Sequence, residues 1–185
     1  MQAAIPDALA DKPVEFWYQD EARVGQQGTL TRVWATRGSR PRALRDHRFD
    51  WAYLFGATCP ARGVGAALVM PEVNISAMNE HLAVISRNVA AGAIAVLILD
   101  GAGWHSSPRL KVPKNIVLLR LPPYAPELNP IENVWAYLRS NYLCHRAYKD
   151  YEAIVDACCD AWNALMRMPD VITSITNRAY AQVKI

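Results

Sequence analysis

The feature of the sequence that most constrains the fold is an apolar run, 93–99 (AIAVLIL), that ends in Asp100. A strand that is apolar on both faces must be covered on both faces, so it lies inside a sheet flanked by other elements. The side chain of Asp100 emerges at the end of this rigid strand, where a carboxylate can bind a hard cation. The run therefore predicts a covered α/β sheet with an acidic site at a strand end.

A second acid lies at the end of another predicted strand. In the segment 13–20, PVEFWYQD, the side chains of Val14, Phe16 and Tyr18 face one way, and Asp20 shares their parity. The neighbouring acid, at position 21, falls on the opposite face. Asp20 is therefore predicted to point with the apolar side chains toward the centre of the sheet.

The third acid, Glu132, lies in the segment 121–135, LPPYAPELNPIENVW. Asn129 can serve there as the N-cap of a helix, with Pro130 at the first position and Glu132 at the third, as a variant of the capping box. Two structural alternatives stay open: Glu132 only caps its own helix, and Asp100 only belongs to a turn after its strand. A rigid helix start is also a good mount for a ligand. Three carboxylates from two strand ends and a helix start suggest a two-metal site for phosphodiester chemistry.

Three segments carry a resemblance to a known family: 16–21 (FWYQDE), 99–105 (LDGAGWH) and 121–135. They resemble the three signature blocks of the DDE transposases, and the nearest group is the bacterial insertion sequence 630 type of the mariner superfamily. The resemblance runs from about residue 14 to about residue 165. It implies an RNase H-like fold, which is an α/β architecture with a mixed β-sheet flanked by α-helices.

By this resemblance, Asp20, Asp100 and Glu132 match the catalytic D, D and E of the family. They would hold Mg²⁺ or Mn²⁺, two ions in all, for the DNA cleavage and strand transfer of transposition and integration. The implied partners are transposon ends and target DNA, with a homodimer as the active complex. Two alternatives stay open: an RNase H-like nuclease that cleaves without joining, and an inactive regulatory or dimerisation fragment of a decayed element.

The length of 185 residues suits one domain, with residues 1–12 as a flexible lead-in and 13–185 as the catalytic domain. Relatives carry an N-terminal helix-turn-helix region that reads DNA, and we expect none here, because nothing before Val14 could form it. Membrane-span and signal-peptide patterns are missing, so we expect a cytoplasmic protein that is nucleoid-associated when bound to DNA. The four cysteines lack metal-ligand spacing and are expected to be reduced, half-buried thiols.

The net charge is only +3, but the basic residues are unevenly distributed. Six arginines and one acid lie between positions 32 and 48, and such a stretch either neutralises DNA phosphates or forms a solvated loop. A histidine and two lysines near the second signature block are further candidates, with packing or solvation as the alternative. The candidate DNA-binding residues are Arg32, Arg37, Arg40, Arg42, Arg45, Arg48, His105, Lys111 and Lys114. Trp135 is expected to be a core anchor rather than a DNA contact.

Periodicity and turn residues predict the element order β-β-β-α-β-α-β-α-α. Ser76 is the expected N-cap of the first helix, and Pro169 is expected to end the last. The predicted strands are 14–20, then 29–35 after a hairpin turn at 25–28, then a third strand region made of 51–58 and 65–70 and broken around 60–63, then 94–99 and 116–121. The predicted helices are 76–90, a short one over 105–110, 126–141 and 151–166.

Overall fold

The computed structural model describes residues 11–26, 34–40, 42, 48–101, 107–122 and 125–177. The elements in these residues are β1 (Val14–Gly25), β2 (Trp51–Cys59), β3 (Val64–Met70), α1 (Ile75–Asn88), β4 (Ile94–Leu99), β5 (Ile116–Arg120), α2 (Ile131–Leu138), α3 (Tyr151–Met166) and α4 (Pro169–Thr176). A 3₁₀ turn (Pro126–Leu128) precedes α2, and a π-helical turn (Arg139–Leu143) follows it. None of the described helices is long and apolar enough to cross a membrane.

The five strands form one mixed sheet in the order β3-β2-β1-β4-β5. β1 lies at the centre, where it pairs antiparallel with β2 and parallel with β4. β2 is also antiparallel to the edge strand β3, and β4 is also parallel to the edge strand β5. This confirms the predicted α/β architecture of a mixed sheet flanked by helices.

The side chains of β1 alternate between two apolar cores, one on each face of the sheet. Trp17 packs with Leu97 of β4 against α1, whereas Tyr18 packs with Ile98 against α2, α3 and α4. Every residue of β4 is buried, as its continuous apolar run predicts. Asp20 has the parity of Tyr18 and therefore lies on the face covered by α2, α3 and α4.

β1 is longer than predicted and has a different antiparallel partner. It runs to Gly25 and pairs with β2 rather than with the predicted strand 29–35. Trp34 and Ala35 lie outside any strand, and the earlier part of that predicted strand lies outside the described residues. Burial explains the choice: Leu54 of β2 is 1% exposed, whereas Trp34 is wholly exposed and adds nothing to the core.

Three predictions about the helices are corrected. The N-cap of α1 is Asn74, whose side chain accepts a backbone N–H of the first turn at 2.8 Å, so Ser76 lies inside the helix. Pro169 begins α4 instead of ending a helix, because proline fits the first helical turn, where its missing N–H costs nothing. Residues 107–110 form a turn, and positions 105–106 of the predicted short helix lie outside the described residues.

The four cysteines are free thiols, as predicted, but they differ in burial. Cys59 and Cys158 are buried, Cys144 is intermediate and Cys159 is exposed. The expectation of half-buried thiols therefore fits Cys144 alone. Burial raises the pKa of the Cys158 thiol to about 12, so this group is an unreactive part of the core.

Candidate active site

Asp20 is a largely buried carboxyl group with a strongly raised pKa. It lies on β1, and its Oδ2 accepts a hydrogen bond from Nε1 of Trp135 at 2.9 Å. Burial raises its pKa to about 7, the hydrogen bond from Trp135 works against this rise, and the negative charges of Glu21 and Glu132 add to it. A carboxyl group that is half protonated near neutral pH and lies beside a second carboxylate suits cation binding.

A glycine on β2 makes room for the indole that contacts Asp20. Gly56 lies directly opposite Asp20 in the antiparallel register. A Cβ added at Gly56 would lie 2.5 Å from Cη2 of Trp135 and 2.9 Å from Cζ3 of Trp162. The two indoles pack against each other, with their ring centroids 6.3 Å apart, in the core between the sheet and the helices. The missing side chain at position 56 therefore allows Trp135 to reach Asp20.

Glu132 is exposed in the first turn of α2, which is anchored by the fully buried side chains of Ile131 and Val134. The predicted capping box is not formed. The N-cap of α2 is Pro130, which gives no side-chain bond, and Oδ1 of Asn129 lies 3.5 Å from the Ile131 nitrogen. Asn129 makes its shorter bond elsewhere, because its Nδ2 donates to the carbonyl oxygen of residue 19 on β1 at 2.9 Å. A long-range contact has thus replaced the local cap.

Asp100 directly follows β4, the parallel neighbour of β1. Tyr18 pairs with Ile98, so Asp20 and Asp100 each lie two residues beyond that pair in adjacent strands. Asp20 was predicted at a strand end but lies within β1, beside the end of β4, because β1 continues to Gly25 in its pairing with β2. The parity of Asp100 is that of Ile98, which belongs to the same core as Tyr18. Asp100 is exposed, as expected for a side chain that emerges where its strand ends.

The donor types fit Mg²⁺ or Mn²⁺, because both are hard cations that prefer carboxylate oxygen. A cation beside Asp20 would also offset the cost of its buried negative charge, which is the main cause of the raised pKa of Asp20. Within the described residues, however, no three His, Cys, Asp or Glu side chains are grouped closely enough to hold a metal ion. The negative charge of Glu132 acts on Asp20, whereas Asp100 follows the neighbouring strand β4 and does not complete a group of three carboxylates.

The candidate DNA-binding residues divide by position. Arg32, Arg45 and His105 lie outside the described residues. The exposed members of the set are Arg37, Arg40, Arg42, Arg48, Lys111 and Lys114. Exposure is compatible with phosphate contacts and with simple solvation, so their role stays a prediction.

Arg48 has a structural role that the sequence did not indicate. Its guanidinium donates to the carbonyl oxygens of Tyr148 and Lys149, in the loop before α3. Gln26, 1% exposed, donates to the same Tyr148 carbonyl at 3.2 Å and accepts from the Asp50 nitrogen at 3.2 Å. These bonds attach the ends of the long connection between β1 and β2 to the loop that leads into α3.

Three features of the site were missed by sequence reasoning: the tryptophan bond to Asp20, the glycine opposite it, and the bond from Asn129 to β1. Trp135 was correctly expected in the core, and it is 2% exposed. Its spacing of one turn from Glu132 was the available signal, since residues three apart on a helix are neighbours. The other two depend on contacts far apart in sequence, for which the chain carries no local signal.

Residues 15–155 match the DDE superfamily endonuclease family. The chain is also 58% identical over 131 residues to the uncharacterised protein y4pE/y4sA of Sinorhizobium fredii. That similarity covers 71% of this chain and 97% of the relative. The predicted family is therefore confirmed over most of the sequence.

Solved structures of Mos1 transposase complexes share the fold. The crystal structure of the Mos1 mariner paired end complex with Mn gives a TM-score of 0.60 at 14% identity, covering 89% of this chain and 56% of that chain. The Mos1 strand transfer complex gives 0.57 at 14% identity, with 89% and 55% covered. The chain thus spans little more than half of the Mos1 chains, and the likeness confirms the RNase H-like fold. With the family match over residues 15–155, these observations show that the chain belongs to the DDE superfamily endonuclease family.

Proposed function

We propose that this chain is the catalytic domain of a transposase that cleaves DNA and transfers the cut strand, with Asp20, Asp100 and Glu132 as its carboxylate triad. The observation that carries the proposal is the position of Asp20, which lies on β1 beside the end of β4, where Asp100 follows, and close enough to Glu132 for that negative charge to add to its raised pKa. Family membership and the likeness to Mos1 complexes support the same reaction class.

The three carboxylates would hold two divalent cations, Mg²⁺ or Mn²⁺. The solved Mos1 paired end complexes contain Mn or Mg. Divalent cations held there would supply Lewis-acid chemistry for phosphodiester cleavage and joining. The chain itself would supply a fixed β1 carboxylate at Asp20, oriented by Trp135, and a second at Glu132 on the rigid start of α2. Asp20 would bind as the anion, so its proton must leave before or during cation binding.

The proposed substrate is DNA, as transposon ends and target, and the proposed active assembly is a homodimer. The exposed arginines Arg37, Arg40 and Arg42 lie in the connection between β1 and β2, where they could contact backbone phosphates. Such contacts position a duplex but carry no sequence information. We therefore expect salt-sensitive binding with little sequence preference by this domain.

The test uses the native chain with supercoiled plasmid and a short duplex that carries a free 3′-hydroxyl. We expect nicking of the plasmid, and joining of the duplex to it, only when Mg²⁺ or Mn²⁺ is present. Asp100→Asn should abolish both, while Asp160→Asn, on the exposed side of α3, should leave both unchanged. Nicking without joining would identify a nuclease instead of a transposase. Full activity of Asp100→Asn would remove the proposed triad.

A further inference from the structure

We propose that Asn129 and Trp135 are positioning residues that attach α2 to β1 on both sides of Glu132 and thereby set the distance between Glu132 and Asp20. The inference rests on the proposed function, because it concerns the same carboxylates. It assigns a purpose to two buried side chains that are not among the proposed metal ligands.

The first attachment is made by Asn129. Its side chain is 4% exposed, and its Nδ2 donates to the carbonyl oxygen of Gln19, the residue immediately before Asp20, at 2.9 Å. The same side chain could also cap α2, but its Oδ1 lies 3.5 Å from the backbone nitrogen of Ile131. The stronger bond is therefore the one that crosses from the helix start to the strand.

The second attachment is made by Trp135. It is 2% exposed, and its Nε1 donates to Oδ2 of Asp20 at 2.9 Å. The bond occupies one carboxylate oxygen and restricts rotation of the group, so the direction of the other oxygen is fixed as well. Gly56 is needed for this arrangement, since any Cβ there would overlap the indole.

The two attachments enclose Glu132. Asn129 precedes it by three residues and Trp135 follows it by three, and their bonds end on the consecutive residues Gln19 and Asp20. The two residues are six apart in sequence and one turn of an α-helix takes about 3.6 residues, so the bonds lie nearly two turns apart, one just before α2 and one within it. The helix can neither slide nor rotate on β1 without breaking one of them. Glu132 is therefore held in one register relative to Asp20.

Apolar packing alone would not give this precision. Ile131, Val134 and Leu138 are all buried and hold α2 against the sheet, but apolar contacts are non-directional and tolerate small shifts. Hydrogen bonds depend on distance and angle, so they select one register. In metal sites, residues that orient the ligands typically affect metal affinity 10–100-fold, and we expect effects of that size here.

The experiment measures Mn²⁺ binding to the full chain without DNA, by the enhancement of water-proton relaxation. Native protein should bind Mn²⁺, and Asp20→Asn should lose this binding. Asn129→Ala and Trp135→Phe should each weaken binding by about 10-fold or more. The matched controls are Asn141→Ala, whose amide donates to the carbonyl oxygen of Tyr137 in its own helical segment, and Trp162→Phe, whose ring packs beside that of Trp135. Both controls should stay within about twofold of native protein.

A double-variant comparison separates positioning from general stability. In a Glu132→Gln background the ligand being positioned is gone, so Asn129→Ala should weaken Mn²⁺ binding no further. An equal loss in both backgrounds would show that Asn129 acts through the fold as a whole and would overturn the inference. If Trp135→Phe does not fold, the Asn129 variants decide the matter by themselves.

Failure of the proposed function and failure of this inference give different results. Native protein that binds no Mn²⁺, or binds it equally well as Asp20→Asn, would contradict the proposed metal site and the inference with it. Binding that is lost in Asp20→Asn but unchanged in Asn129→Ala and Trp135→Phe would overturn the positioning role alone.

Discussion

Replacing Asp20 with asparagine should stabilise the metal-free protein, and the gain should grow with pH. Asparagine has nearly the same shape, and its Oδ1 can still accept the Nε1–H of Trp135. The substitution therefore removes the charge and the titrating proton while keeping the packing. Any change in stability that depends on pH can then be assigned to ionisation of Asp20.

The direction follows from the raised pKa of Asp20. In the folded protein the carboxyl has a pKa of about 7, against an ordinary value of 3.8. Below both values the folded and unfolded chains are equally protonated, and ionisation costs nothing. Between them the unfolded chain has released its proton while the folded chain retains it, so native stability falls as pH rises. The loss approaches about 4 kcal/mol at pH 8, of which about 2–3 kcal/mol develops between pH 5 and pH 8.

Urea unfolding followed by tryptophan fluorescence, in chelator-treated buffers from pH 5 to pH 8, measures this loss. The free energy of unfolding of Asp20→Asn should exceed that of native protein by about 2 kcal/mol at pH 5 and about 4 kcal/mol at pH 8. Asp160→Asn, exposed on α3, is the matched control and should show no such trend. A difference between Asp20→Asn and native protein that is constant across this range would refute the reasoning.

Two further substitutions test the surroundings of the site. Gly56→Ala should lower the free energy of unfolding by about 1–3 kcal/mol, because the added Cβ would lie 2.5 Å from Trp135 and force the indole to shift. Urea unfolding measures this change, and an unchanged midpoint would show that Trp135 does not need a glycine at position 56. Arg42→Gln should reduce the slope of log affinity against log salt concentration by about one for duplex DNA, as measured by fluorescence anisotropy. Arg48→Gln should leave that slope unchanged and instead cost about 1 kcal/mol of stability, because its carbonyl contacts are lost. The opposite pattern in the two arginine variants would reverse their assigned roles.

Local sequence patterns predicted the parts of the fold that depend on local chemistry. The continuous apolar run of β4 identified a strand buried on both faces, and every one of its residues is buried. Alternation along β1 placed Asp20 on the same face as Tyr18, where it contacts a core tryptophan. Both predictions succeed because side-chain periodicity is set by the geometry of a single strand.

Long-range pairing could not be read from the same patterns. The strand predicted to end at residue 20 runs on to Gly25. The turn residues after Gly25 do not determine which later segment pairs with β1, and the partner proved to be β2. Asn129 satisfies a local capping rule, yet its shorter bond is to Gln19, far away in sequence. Pro169 fits both the end of one helix and the start of the next, so the local rule had two valid outcomes. In each case tertiary contacts decided between locally acceptable alternatives.

The most direct test of the central claim is a crystal of the native chain soaked in Mn²⁺, with anomalous diffraction used to locate the ions. We predict two anomalous peaks bounded by the carboxylates of Asp20, Asp100 and Glu132, with Asp100 drawn toward the pair that already interacts. Peaks elsewhere on the protein, or peaks at this site that persist in an Asp20→Asn crystal, would contradict the assignment of these three residues as the metal-binding triad.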